Sequence, residues 1–104
     1  MRRGACVADG TLVVFVTAND DLETRQPGST TRLGITIPKK TGNAVVRNHW
    51  KRLIRESFRT QVAKLPPGVD IIVRPKKAAE ADWTAIHRSL PKLAQKAMRR
   101  LGKD

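Results

Sequence analysis

The chain has 104 residues, 21 Lys and Arg against 9 Asp and Glu, a net charge of +12 and one cysteine. That length fits one domain with one modest core, and four aromatics (Phe15, Trp50, Phe58, Trp83) leave Leu, Ile, Val and Ala to fill it. The lone Cys6 excludes an internal disulfide and a cysteine zinc site and suits a reducing, cytoplasmic setting. No run is apolar enough for a membrane span, and the N-terminal stretch lacks the apolar segment of a signal peptide.

In chain order, residues 5–8 (Ala-Cys-Val-Ala) read as an edge strand. Residues 12–17 (Leu-Val-Val-Phe-Val-Thr), rich in β-branched side chains, read as a second strand. Residues 19–31 form a polar loop holding three of the nine acids and the turn pair Pro27-Gly28. Residues 32–37 are a third strand, stopped by Pro38. Thr41-Gly42-Asn43 supplies helix-start chemistry, because a side-chain oxygen there can accept from a free N–H of the first turn. The helix then runs to residue 63 or 64, where Leu65-Pro66-Pro67-Gly68 ends it. Residues 69–74 form a buried-type strand closed by Pro75. Asp82 caps a last helix that runs to Leu101, with Gly102 as its stop and an apolar stripe of Trp83, Ile86, Leu90, Leu93, Ala97 and Leu101. Pro91 within it predicts a kink or two shorter helices. The order predicts a single α+β domain over 1–104, a small split βαβ sandwich of about four strands.

The charge is unevenly placed. Residues 1–31 carry three basic and four acidic side chains, residues 32–64 nine and one, and residues 65–104 nine and four. Such a density points to a polyanionic partner, nucleic acid or an anionic membrane, because a surface serving solubility alone mixes both signs. At about 100° per residue, the central helix turns Val46, Trp50, Leu53, Ile54, Ser57 and Phe58 toward the core. Arg47, Asn48, Lys51, Arg52, Arg55 and Arg59 gather on the adjoining flank, and His49, Glu56 and Thr60 take the remainder. The column Arg47, Lys51, Arg55, Arg59 sets like charges at i, i+4, each pair costing about 0.2–0.5 kcal/mol. A bound anion offsets that repulsion. The arginine fork suits phosphate oxygens, and Asn48 can hold a phosphate or read a base edge. Lys39 and Lys40 precede the helix, where free N–H groups also favour anions.

The pattern Lys39-Lys40-x-Gly42-x-Ala44-Val45-x-Arg47-Asn48-x-x-Lys51-Arg52-x-x-Arg55-Glu56 resembles the signature of the bacterial ribonuclease P protein component. Arg32-Leu33-Gly34-Ile35 and the run from Pro66 to Val73 resemble it too, so the likeness covers nearly the whole chain. The resemblance implies a left-handed crossover through the basic helix, an exception to the usual hand. It implies two RNA partners: the large catalytic RNA of ribonuclease P, and precursor tRNA, whose 5′ leader is removed. Hydrolysis is then carried by the RNA with bound Mg²⁺, with no catalytic residue and no metal site in the protein. The matching positions imply that Lys39, Lys40, Arg47, Asn48, Lys51, Arg52 and Arg55 bind RNA, and the charge column of the helix adds Arg59 to them. Phe15, Lys39 and Asn48 would line a leader cleft, with Phe15 as a stacking platform. Three positions depart from the family. His49 stands where its third signature arginine is found, Pro91 interrupts the last helix, and the chain begins where an aromatic-bearing first helix would be ending.

Other signals are weak. His49 and His87 have no nucleophile or carboxylate placed with them and read as helix-surface residues, Trp50 and Trp83 as core packing, and Cys6 as a small buried filler. Lys40-Thr41-Gly42 and Ser89-x-x-Lys92 mimic two penicillin-binding fragments without the third, and Pro38-Lys-Lys-Thr-Gly lacks P-loop glycine spacing. A ribosomal or ribosome-associated RNA-binding protein would share the charge and could share the fold. A helix-turn-helix DNA regulator would need a short helix before the basic one, where a strand is predicted, so DNA is not the expected partner. A self-sufficient nuclease would need a carboxylate cluster to hold metal.

Overall fold

The computed structural model describes residues 4–18, 20–21, 26–27, 31–66 and 68–102. Among these residues are six strands: β1 (Gly4–Ala8), β2 (Leu12–Ala18), β3 (Asp20–Asp21), β4 (Gln26–Pro27), β5 (Arg32–Ile35) and β6 (Val69–Pro75). The same residues hold two α-helices, α1 (Ala44–Gln61) and α2 (Trp83–Gly102). The main sheet has the order β1-β2-β6-β5, antiparallel except for the parallel β5–β6 pair that α1 connects. This is the split βαβ arrangement that the element order predicts. β3 and β4 pair with each other inside the segment expected to be a plain loop. Gly28 of the expected Pro27-Gly28 turn lies outside the described residues, as do Arg2, Arg3 and Pro67.

Alternation along the strands builds one covered and one open face. Leu12, Val14 and Val16 of β2 and Val69, Ile71 and Val73 of β6 are buried against α1 and α2. Burial of each such side chain contributes about 1.5–3 kcal/mol. Their neighbours point the other way, leaving Phe15 36% and Ile72 40% exposed. In register, Cys6, Phe15, Ile72 and Gly34 form one row across that open face. Cys6 is therefore exposed rather than a buried filler: Val7 is the residue of β1 that turns inward, 4% exposed.

The helix ends follow local chemistry. Asn43 Oδ1 accepts from Val46 N at 3.0 Å, and Asp82 Oδ2 accepts from Ala85 N at 2.9 Å, so both predicted N-termini are capped. Gly42 has φ +159°, and a Cβ there would meet Val46 Cβ at 2.8 Å, so the approach to α1 requires glycine. α1 ends at Gln61 and tightens into a 3-10 turn, Val62–Lys64. Gln95 Nε2 donates to Lys64 O at 2.7 Å and ties that end to α2. α2 runs unbroken through Pro91, not as two shorter helices. The proline leaves the His87 carbonyl without its helical donor, a local loss that packing of α2 on the sheet outweighs. Trp83 opens α2 at 39% exposure and stacks on His87, ring centroids 4.8 Å apart, instead of entering the core.

Candidate nucleic-acid interface

α1 buries Trp50, Ile54, Ser57 and Gln61. The two polar residues of this stripe satisfy each other: Gln61 Nε2 donates to Ser57 Oγ at 2.8 Å and to Ser57 O at 3.3 Å. Leu53 and Phe58 pack at the margin of the core. Val46, expected on the same arc, is 39% exposed, because it belongs to the first helical turn beside the Asn43 cap.

With that stripe turned inward, the cationic flank faces out. Asn48, Arg52, Arg55 and Arg59 are exposed, and Arg47 and Lys51 are half-buried. Lys51 and Arg55 reach over the β5 edge of the sheet, where with Leu33, Ile35 and Phe58 they line an open groove of about 460 Å³. Two cations beside an apolar floor can take a phosphate and an adjoining sugar or base together. Arg47 Nε is shielded from solvent and has no acceptor among the described residues. A shielded donor of this kind costs about 1–3 kcal/mol unless it finds an acceptor.

Arg59 differs from its column. Its Nη2 and Nε reach Glu56 Oε1 and Oε2 at 2.8 and 3.3 Å. The hydrogen bond from Arg59 and then its charge hold the Glu56 carboxyl below its usual range, and the same contacts raise the Arg59 guanidinium. Glu56 thus partly neutralises the cationic flank at Arg59.

Lys39 and Lys40 lie in a 3-10 turn, Lys39–Thr41, closed by Thr41 N donating to Pro38 O at 3.0 Å. Both side chains are exposed. Lys40 and Thr41 line a second groove, about 670 Å³, with Val13, Pro38, Arg74, Lys76, Lys77 and Ala79 among its other walls. Arg74, Lys76 and Lys77 were not among the residues expected at the site, although the Arg-Pro-Lys-Lys run closing a strand carries a legible signal. Val13 shares the open sheet face with Phe15, so this groove adjoins the Phe15 row. Phe15 itself lines neither groove, nor do Lys39 and Asn48. Strand β5 and one 3-10 turn, not a short α-helix, precede α1.

The comparisons with known proteins agree on one family. The Ribonuclease P family model matches residues 1–98. The ribonuclease P protein component of Clostridium botulinum is 33% identical over 97 residues, covering 92% of this chain and 78% of its own length. Among solved structures, the Staphylococcus aureus RNase P protein superposes with a TM-score of 0.72 at 34% identity, over 88% of this chain and 79% of that one. The Thermotoga maritima RNase P protein gives 0.75 at 31% identity, over 88% and 84%.

Proposed function

The chain belongs to the ribonuclease P protein family and so partners a ribonuclease P RNA in tRNA 5′ processing; from that premise we propose that α1 holds this RNA through its cationic flank. The observation that carries the proposal is the groove of Lys51 and Arg55 over Leu33, Ile35 and Phe58. It offers charge for phosphate and apolar surface for sugar or base in one place. The unsatisfied Arg47 Nε adds a donor on the same helix that a phosphate oxygen would satisfy. Arg52, Asn48 and Arg59 extend the contact along the helix.

The substrate in this proposal is precursor tRNA. Its single-stranded 5′ leader runs along the open sheet face, stacking on Phe15 and reaching the Lys39–Lys40 turn, with Asn48 at the margin. The protein lowers repulsion between two RNAs and positions the leader. Mg²⁺, carried by the RNA, supplies the chemistry of hydrolysis. Among the described residues no three His, Cys, Asp or Glu side chains stand together to hold an ion. Endonucleolytic cleavage is then a property of the holoenzyme, at work in the cytoplasm. Among the described residues no helix is long and apolar enough to cross a membrane.

Equilibrium binding to a ribonuclease P RNA over a range of salt tests the interface. Each phosphate neutralised contributes about 0.7–0.9 to the slope of log K against log[salt]. A steep slope, reduced in Arg47→Ala and Arg55→Ala with the fold intact, is expected. A slope near zero, or full affinity in both variants, would refute the assignment.

A further inference from the structure

A second cationic ridge lies outside this interface. α2 carries Arg88, Lys92, Lys96, Arg99 and Arg100 and no Asp or Glu. At about 100° per residue, the five fall within about a third of the helix circumference, and all are exposed. Ile86, Leu90, Leu93, Ala94 and Ala97 occupy the opposite side and are fully or almost fully buried. Arg88, Lys92, Lys96 and Arg100 repeat at i, i+4, a charge every ~6 Å over ~18 Å of axis. α2 therefore carries the same self-repulsion as α1, with no carboxylate on the helix to relieve it.

Contacts fix where the ridge points. The charge of Lys92 acts on the Asp9 carboxylate in the β1–β2 turn, and Arg100 Nη1 donates to Cys6 O of β1 at 3.4 Å. The ridge thus borders β1, at one edge of the sheet. The Lys51–Arg55 groove borders β5, at the other edge. Three strand spacings, about 14 Å, separate those edges. No carboxylate pairs with Arg88, Lys96 or Arg99 among the described residues.

We propose that the α2 ridge binds RNA phosphates, on a segment of the ribonuclease P RNA different from the one held by α1, so that the protein bridges two segments across the width of its sheet. This rests on the RNA-binding role of α1. Charge complementarity selects a polyanion. A membrane surface fits poorly, because a membrane-lying helix sets apolar side chains beside its cations, whereas those of α2 are turned into the core. A second contact on the same RNA acts intramolecularly, so it adds affinity through effective concentration.

The test compares Arg88→Gln/Lys96→Gln/Arg99→Gln, which keeps Lys92 near Asp9 and Arg100 on Cys6, with Lys51→Gln/Arg55→Gln in α1. Hydroxyl-radical protection of ribonuclease P RNA and the salt slope are measured for each, with circular dichroism to verify folding. The α2 triple should lose protection of one RNA segment, retain the segment that the α1 variant loses, and lower the salt slope by about 2. A folded triple variant with every protected segment and the full slope would overturn the proposal. So would loss of the same segment by both variants, or loss of binding to phosphatidylserine vesicles with the RNA footprint intact. Wild-type protein that protects no RNA would instead strike the α1 assignment, a failure distinct from that of the α2 ridge alone.

Discussion

The ring of Phe15 occupies the space into which a side chain at Gly4 would project: a Cβ there would fall on the ring carbons. Gly4 pairs with Thr17, two residues along β2 from Phe15, and its absent side chain leaves room for the ring. Gly4→Ala should therefore displace Phe15 while leaving the covered face untouched. The expected result is weaker binding of precursor tRNA, by about the 1–3 kcal/mol of one base stack, with unchanged affinity for leaderless tRNA. Competition binding of the two RNAs to the holoenzyme measures the difference.

Glu56 is the one acid on α1, and it holds Arg59 at 2.8 Å. Glu56→Gln removes a negative charge from the cationic flank and releases Arg59 toward solvent. RNA affinity at low salt should rise and the salt slope should steepen by up to about one phosphate equivalent. Arg59→Ala should in turn cost less affinity than Arg55→Ala. Filter binding at several salt concentrations separates the three variants.

Asp9 couples the β1–β2 turn to α2. Its carboxylate accepts from Thr11 N at 2.8 Å, Leu12 N at 3.0 Å and Ser89 Oγ at 2.7 Å. Burial pushes the carboxyl up, but the Ser89 hydroxyl, the two N–H groups and the charge of Lys92 together hold it below its ordinary value. A depressed carboxyl contributes stability that is full above its unfolded pKa and is lost as pH falls through the folded one. The wild type should exceed Ser89→Ala by about 1 kcal/mol near neutral pH. That advantage should shrink in the acid range, below the ordinary carboxylate value. Urea unfolding of both proteins from about pH 7 to about pH 3 tests the trend.

Ala78, in the turn after β6, has φ +68°, the left-handed region that L residues enter at a cost of about 1–2 kcal/mol. Glycine removes that strain and gives back about 0.5–1 kcal/mol of unfolded-chain entropy. Ala78→Gly should stabilise the protein by up to about 1 kcal/mol, read as a higher urea midpoint with an unchanged slope.

Much of this was legible in the sequence wherever the cause is local. The Asn43 and Asp82 caps depend on one side-chain oxygen and a neighbouring N–H; the first formed within the predicted Thr41-Gly42-Asn43 start and the second at the predicted Asp82. Buried Trp50 and Ile54 follow from helical periodicity, and the inward Val69, Ile71 and Val73 from strand alternation. The misses depend on partners far away in sequence. Ala-Cys-Val-Ala could have turned either face inward, and only pairing of Cys6 with Phe15 sends its thiol to the open side. Trp83 lies on the apolar stripe of α2, but a stripe gives the direction of a side chain and not how far the covering element extends. The grooves join Lys51 to Leu33 and Lys40 to Arg74, contacts between segments that periodicity treats separately.

The role of the protein in leader removal is tested most directly by cleavage of a precursor tRNA by a bacterial ribonuclease P RNA at low Mg²⁺, with and without this protein. Wild type should speed cleavage at the mature 5′ end, and Lys51→Gln/Arg55→Gln should lose that stimulation. A folded wild-type protein that binds the RNA but leaves the cleavage rate unchanged would contradict that role.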